Sequence, residues 1–212
     1  MSHTSIIALE GLPVVAVLVC VAVVFWFLGW YKAAAVVTAL SIFSLWFFRN
    51  PERHVPVGQG LVIAPADGKV VFAGLVHEDR YLHTDAVKVS IFMDLFSVHV
   101  NRAPESGTVT DIRYNPGKFI SANLDKASLD NEQNAVVMDV GGKKVAFVQI
   151  AGLIARRIVC WVKPGDRLER GERFGLIMFG SRLDVYLPPG TPLKVAVGDK
   201  TRAGETVIGV LP

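Results

Sequence analysis

A glycine and a serine interrupt what otherwise reads as one continuous β-strand near the end of the chain. Gly180 and Ser181 lie in GLIMFGSRLDVYLP, residues 175–188, between an apolar run and an alternating one. Glycine leaves its carbonyl unhindered, and serine places a hydroxyl directly beside that carbonyl. The pair has two interpretations: an ordinary turn or bulge, which these residue types favour, or a peptide bond that the serine itself attacks.

The second interpretation has a defined chemical course. The Ser181 hydroxyl attacks the Gly180 carbonyl, and the backbone shifts from an amide to an ester. Elimination then converts Ser181 to dehydroalanine, and loss of ammonia leaves a pyruvoyl group at a new N-terminus. Such chemistry needs a base for the hydroxyl, a group that orients the base, and donors for the oxyanion.

The sequence offers a candidate for each of the first two roles. His99 lies inside a strand-like run in DLFSVHVNRAPESG, and Asp67 precedes a glycine at the start of a strand in IAPADGKVV. Taken alone, each residue has an ordinary interpretation. A histidine in a strand is more often a packed side chain than a catalyst, and an aspartate before glycine is typical of a turn.

Together the three segments resemble a known family. APADGKV, FSVHVNRAP and MFGSRLDVYLP look like the motifs of the phosphatidylserine decarboxylase proenzymes, in the short form with a membrane-bound N-terminal segment. RNPER and AGLIARRIV add to the resemblance, which covers residues from about 49 to 190. One motif alone would be weak evidence for the family, but three motifs in the right order are a specific match to it.

The resemblance implies an activity and a set of roles. It makes Asp67, His99 and Ser181 the self-processing triad, with His99 as general base and Asp67 holding its tautomer. Cleavage after Gly180 would give a large subunit, 1–180, and a small subunit, 181–212. The pyruvoyl group from Ser181 would form a Schiff base with phosphatidylserine and accept the electrons released with carbon dioxide, giving phosphatidylethanolamine without metal or pyridoxal phosphate.

The chain also departs from the longer bacterial members of that family. Phe96 stands where those members carry a second histidine, thought of as the proton donor to the substrate, so His99 is the candidate for both stages. Arg182 follows the serine, as in the short form.

A lipid phosphate needs cationic partners. Candidates are Lys118 in NPGKF and Arg156 and Arg157 in ARRIV. An ordinary role as solvated or ion-paired surface side chains fits these residues equally well. Phe96 is a further substrate-binding candidate. The NEQN segment, 131–134, resembles family text but has no role that the sequence assigns.

The N-terminal segment predicts a membrane anchor. Of the 212 residues 51% are hydrophobic, and between Pro13 and Phe48 the only formal charge is Lys32, which divides two apolar runs. We therefore expect an anchor of one or two apolar helices over 1–50 and a catalytic domain over 51–212. Arg49 and the basic residues after it place that domain on the cytoplasmic face of the inner membrane.

The remainder reads as mainly β. Short apolar runs punctuated by Gly, Pro and Asp predict strands, VGGKK predicts a hairpin turn, and the polar stretch 121–134 predicts a loop. Segments 162–177 and 195–210 align without gaps at an offset of 33 residues. Paired units of this kind are similar to the halves of barrel-sandwich folds.

Charge and cysteine content limit the other classes. A net charge of +3 without a basic run argues against nucleic acid, and two cysteines do not support a disulfide framework. A membrane anchor and short strand edges favour a homodimer.

Two alternatives remain at this stage. One is a non-enzymatic, membrane-anchored barrel-sandwich adaptor, although adaptors usually insert a helical hairpin where residues 86–160 here read as strands. The other is a decarboxylase of another serine-headed lipid, such as an ether lipid. Turnover of diester and ether lipids would separate it from a phosphatidylserine enzyme.

Overall fold

The chain divides into two compact units in a computed structural model that describes residues 4–117, 131–152, 157–178 and 180–212. The units are Met1–Glu52 and Arg53–Pro212. The first is helical and the second is built from strands, so the prediction of apolar N-terminal helices followed by a mainly β unit is confirmed.

The N-terminal unit is a hairpin of apolar helices. A short 3-10 helix, Leu9–Gly11, leads into α1, Leu12–Phe27, and α2 spans Tyr31–Phe47. Pro13 lies in the first turn of α1, where its missing N–H costs nothing, and Gly29, at φ +74°, allows the tight turn before α2. The continuous stretch Leu9–Phe27 is long and apolar enough to cross a membrane, whereas α2 is shorter than a typical span.

The second unit consists of antiparallel strands in three sheets. In chain order these are β1 Leu61–Ile63, β2 Gly68–Glu78, β3 Thr84–Met93, β4 Val100–Arg102, β5 Gly107–Asn115, β6 Gln133–Val140, β7 Lys143–Ala151, β8 Ile158–Cys160, β9 Arg167–Leu168, β10 Arg173–Ile177, β11 Ser181–Leu187, β12 Lys200–Thr201 and β13 Val207–Val210.

The largest sheet has eight strands in the order β12-β2-β3-β11-β7-β6-β5-β9, and β4-β10-β8 and β1-β13 form the smaller two. The hairpin predicted at VGGKK is confirmed, since Gly141 and Gly142 join β6 to β7 with φ +61° and +85°. The predicted loop over 121–134 is wrong at its end, because Gln133 and Asn134 already belong to β6 and pair with β7. Residues 118–130 lie outside the described part.

The central strand, β11, separates two environments. Its neighbours are β3 on one side and β7 on the other, so Ser181 lies opposite both Met93 and Ala151. Because strand side chains alternate, Leu183 and the apolar residues in register with it enter the main core.

Charged side chains occupy the other face of β11. The buried Arg182 guanidinium pairs with both oxygens of Asp184, at 2.9 and 3.1 Å, and Lys88 approaches the same carboxylate at 3.1 Å. Both charges of the central pair are thus compensated inside the protein, as buried ions require. Arg182 therefore points away from the side of the sheet that carries Ser181.

The interruption before Ser181 is a change of sheet. β10 belongs to the three-stranded sheet and β11 to the eight-stranded sheet, and Gly180 lies between them at φ +73°. A residue with a Cβ would be strained in that conformation. Gly180, which sequence analysis singled out for its unhindered carbonyl, is therefore also the residue that lets the chain pass from one sheet to the next.

The two repeat copies, 162–177 and 195–210, occupy equivalent positions in the fold. In the first copy, the Gly165 N–H donates to Val109 and the Val109 N–H donates to Asp166, both at 2.8 Å. In the second copy, Gly198 and Asp199 make the same pair of bonds to Val70, both at 2.9 Å.

The segments that receive the copies are themselves related. APADGKV, 64–70, and APESGTV, 103–109, stand 39 positions apart and share A-P, G and V. The second unit therefore contains two matched pairs of segments, of which sequence analysis found one.

Gly68 provides a test of the packing at the start of β2. A Cβ at this position would collide with the backbone oxygen of Phe92 on β3, whereas a Cβ at Gly74 in the same strand would meet no described atom closer than 3.7 Å. We expect Gly68→Ala to lower the free energy of unfolding by about 1–3 kcal/mol. Gly74→Ala is the matched control and should cost about 0.5 kcal/mol or less.

Both substitutions are best compared in a Ser181→Ala background, so that melting reports one uncut species. Equal melting temperatures for the two alanine variants would contradict the close approach of β2 and β3.

Candidate active site

The bond between Gly180 and Ser181 lies at the edge of a buried site. Ser181 has no exposed surface. Around Gly180, a Cβ would meet no described atom within 4 Å. The Gly152 N–H donates to the Gly180 carbonyl oxygen at 3.1 Å. That donor polarises the carbonyl and lies where an oxyanion would form.

His99 contacts the peptide that precedes this one, through the backbone N–H of Gly180. It is 3% exposed, and its Nδ1 lies 3.0 Å from the Ser97 carbonyl oxygen, while the Gly180 N–H points at Nε2 over 3.3 Å. A carbonyl can only accept and an N–H can only donate, so these partners specify the tautomer. Nδ1 carries the proton, and Nε2 presents a lone pair at Gly180.

Asp67 makes different contacts from those expected of it. One carboxylate oxygen accepts the Ala203 N–H at 2.7 Å, and the other pairs with Arg53 at 2.8 Å. The Arg53 side chain is itself only 8% exposed, so this ion pair is well shielded from solvent. Orientation of His99 by Asp67 stays a prediction, because here the Nδ1 partner is the Ser97 carbonyl.

The internal repeat explains one of these contacts. In the matched segment Ser106 occupies the position of Asp67, and it accepts the N–H of Arg170 at 2.9 Å, as Asp67 accepts that of Ala203. At both positions the side chain thus accepts a backbone N–H from the repeat copy that packs against it. The charge of Asp67 and its pairing with Arg53 are particular to one half.

A chain of buried amides leads to the serine. Asn134 donates to Gln149 at 3.1 Å, Gln149 donates to Asn101 at 2.9 Å, and Asn101 approaches the sulfur of Met93 at 3.6 Å. The Ser181 hydroxyl lies 3.8 Å from the same sulfur. A thioether is a weak acceptor, so this contact positions the hydroxyl without holding its proton strongly.

The substrate-binding candidates lie in several places. Phe96 is 68% exposed and lines a cavity of about 670 Å³ that also contains Asp67 and Ser97. Arg157 is exposed, and its carbonyl accepts the Met178 N–H at 3.1 Å. Lys118 and Arg156 fall outside the described residues.

Cys160 lies close to the amide chain, since its side chain interacts with Asn134. Burial raises the pKa of the Cys160 thiol, so it remains protonated near pH 7 and is a poor nucleophile. Within the described ranges, no three His, Cys, Asp or Glu side chains are placed to hold a metal ion.

Sequence reasoning missed several residues of this site. None of these residues stands out by type in the sequence: Met93, Asn101 and Gln149 reach the site through the pairing of β3, β4 and β7, and Gly152 directly follows β7. NEQN, to which sequence analysis assigned no role, supplies Asn134 to the amide chain. The adjacent polar residues Gln133 and Asn134 at the start of an otherwise mostly apolar β6 were the available signal.

Comparison with known proteins gives a consistent result. The family model described as phosphatidylserine decarboxylase matches residues 40–209. A phosphatidylserine decarboxylase proenzyme from Syntrophus aciditrophicus is 50% identical over 211 residues, 99% of each chain. Proenzymes of the same name from Geotalea uraniireducens and Geobacter metallireducens are also 50% identical, over 97% of each chain.

The amide chain can be tested at Asn101. Asn101→Ala removes the acceptor of the buried Gln149 amide, and an unsatisfied buried amide costs about 1–3 kcal/mol of unfolding free energy. Thermal melting in a Ser181→Ala background measures this loss. Asn115→Ala, which removes a partly exposed amide on β5, is the control and should change the melting temperature little. Equal stability of the two variants would argue against the chain.

Proposed function

Because the chain belongs to the phosphatidylserine decarboxylase family, we propose that it cleaves itself between Gly180 and Ser181 and then decarboxylates phosphatidylserine to phosphatidylethanolamine. The observation that carries the first half is the convergence of His99 and Gly152 on the two backbone groups of Gly180, its N–H and its carbonyl. A neutral imidazole whose Nε2 faces this residue and an N–H aimed at the carbonyl oxygen are the candidate base and oxyanion donor for this chemistry.

The first step is transfer of an acyl group from nitrogen to oxygen. His99 Nε2 takes the proton of the Ser181 hydroxyl as Oγ bonds to the Gly180 carbonyl carbon. The C–N bond then breaks, and the proton returns to the nitrogen that becomes the amine of Ser181. The Gly152 N–H stabilises the negative oxygen between these events.

The second step separates the chains. Removal of the Ser181 α-proton expels Gly180 as a free carboxylate and leaves dehydroalanine at position 181. Water then replaces the nitrogen, which leaves as ammonia, and a pyruvoyl group remains. That group supplies a carbonyl for the substrate amine and an electron sink for the carbanion left by carbon dioxide.

The described residues around position 181 fit a pyruvoyl group. β11 is paired along its length with β3 and β7, so a new end at residue 181 would stay fixed after cleavage. Met93 suits both forms of the residue, because its sulfur accepts weakly from a hydroxyl and packs well against a methyl group. His99 would remain beside the new carbonyl as the candidate proton donor.

The lipid substrate accounts for the N-terminal unit. We propose that Leu9–Phe27, the helix long enough to cross a bilayer, anchors the enzyme in the inner membrane. Arg49 stacks on Trp46 at 3.8 Å, a pairing typical of a membrane interface, and the positive-inside rule places the catalytic unit in the cytoplasm. A homodimer remains part of the proposal.

Intact mass spectrometry of the purified protein tests the cleavage. We expect two fragments, 1–180 and 181–212, the smaller one starting in a pyruvoyl group, and a single uncut chain for Ser181→Ala. The cut protein should release carbon dioxide from phosphatidylserine, and the Ser181→Ala variant should not. A well-folded wild-type protein with an unmodified serine would overturn the proposal.

The oxyanion donor can be removed separately. Gly152→Pro deletes the N–H that points at the Gly180 carbonyl, and loss of one such donor typically slows reaction about 10²–10³-fold. Gly152→Ala keeps the N–H and is the matched control. The rate of fragment appearance after synthesis measures the effect. Equal cleavage rates for the two variants would exclude Gly152 from this role.

A further inference from the structure

Two lysines face each other at the edge of the eight-stranded sheet. Lys69 of β2 and Lys200 of β12 are direct antiparallel partners, and both side chains are exposed. Like charges in this position destabilise a sheet. Among the described residues, no carboxylate lies within ion-pair distance of either lysine. The fold thus places two uncompensated positive charges side by side.

The lysines line a cavity whose wall also includes Asp67 and Ser97. Its volume is about 670 Å³, and Arg202, which pairs with Glu205 at 3.4 Å, also lines it. Phe92 and Phe96 give the cavity an apolar side. Ser97, whose carbonyl holds His99 Nδ1, also lines it, so an occupant would lie two residues from the base.

The acidic residues of the cavity already have partners. Asp94 accepts the N–H of Phe96 at 2.9 Å and the hydroxyl of Ser97 at 3.0 Å. Asp67 is held by Arg53 and Ala203. Among the described residues, neither carboxylate forms an ion pair with Lys69 or Lys200.

The repeat shows that the fold does not require this charge. In the other half, the strand pair equivalent to Lys69 and Lys200 is Thr108 and Arg167, a neutral residue opposite a cation. The position of Arg202 is taken there by Glu169. Since the same backbone arrangement forms without facing cations, their presence in one half calls for an anionic occupant.

We infer that this cavity binds the phosphodiester of the phospholipid, with Lys69 and Lys200 on either side of the phosphate and Phe96 against the apolar part of the lipid. The inference rests on the proposed function and names the headgroup site for it. Ammonium groups suit this task, because they bind phosphate oxygens as mobile point charges. The same lysines could instead attract any anionic bilayer, and the experiment must separate the two.

The test compares Lys69→Gln/Lys200→Gln with the control Lys144→Gln/Lys163→Gln in the full-length, self-processed protein. The control removes the same charge from exposed lysines that do not line this cavity. The substrate is dihexanoylphosphatidylserine below its micelle concentration, so that no surface is present. We expect a KM about tenfold higher for the cavity variant, equivalent to about 1.4 kcal/mol, and a kcat within about twofold. Lys69→Arg/Lys200→Arg should restore most of the affinity.

The outcomes distinguish the possible failures. An unchanged KM on the monomeric lipid overturns the inference. A defect confined to vesicles containing phosphatidylglycerol also overturns it, since it would assign the lysines to general membrane attraction. Mass spectrometry of each variant reports self-cleavage independently. If the cleaved wild-type protein did not decarboxylate phosphatidylserine at all, the result would instead contradict the proposed function.

Discussion

The structure depends on how β11 is held. It pairs with β3 and β7 over its whole length, whereas the strand before it, β10, belongs to another sheet. Gly180 therefore turns the chain in a left-handed conformation immediately before a strand that is paired on both sides. The backbone at this junction exposes a carbonyl to the Gly152 N–H and an N–H to His99. The geometry of the candidate cleavage site thus results from joining two sheets by very few residues.

Around this junction the site is built mainly from neutral groups. The amides of Asn134, Gln149 and Asn101 pass from strand to strand and end at a thioether. Such a chain fixes geometry without titrating, so the imidazole of His99 can be the group that moves protons near Ser181. The charged residues of β11, Arg182 and Asp184, are placed on the opposite face of the sheet. The alternation of side chains therefore separates charge compensation from chemistry within one strand.

Much of this could be predicted from residue types, and the limits have physical causes. Alternating apolar runs predicted the mainly β unit, and Ser181 and His99 could be singled out as candidates because few residue types can attack a carbonyl or take a hydroxyl proton. Partners set by pairing across strands could not be found in this way. The contact of Asp67 with Arg53 and the pairing of Lys69 with Lys200 both depend on three-dimensional register, which a linear sequence does not display. Gly152 was missed because its contribution is a backbone N–H.

The distribution of strands across the proposed cut determines what kind of molecule results. Each strand after residue 180 is paired with a strand before it: β11 with β3 and β7, β12 with β2, and β13 with β1. The two products would therefore be interleaved, and neither would have a fold of its own to return to. Severing the chain would also remove the covalent link through which it originally folded. We therefore expect unfolding after cleavage to be irreversible. Each molecule would then be active only until it first unfolds.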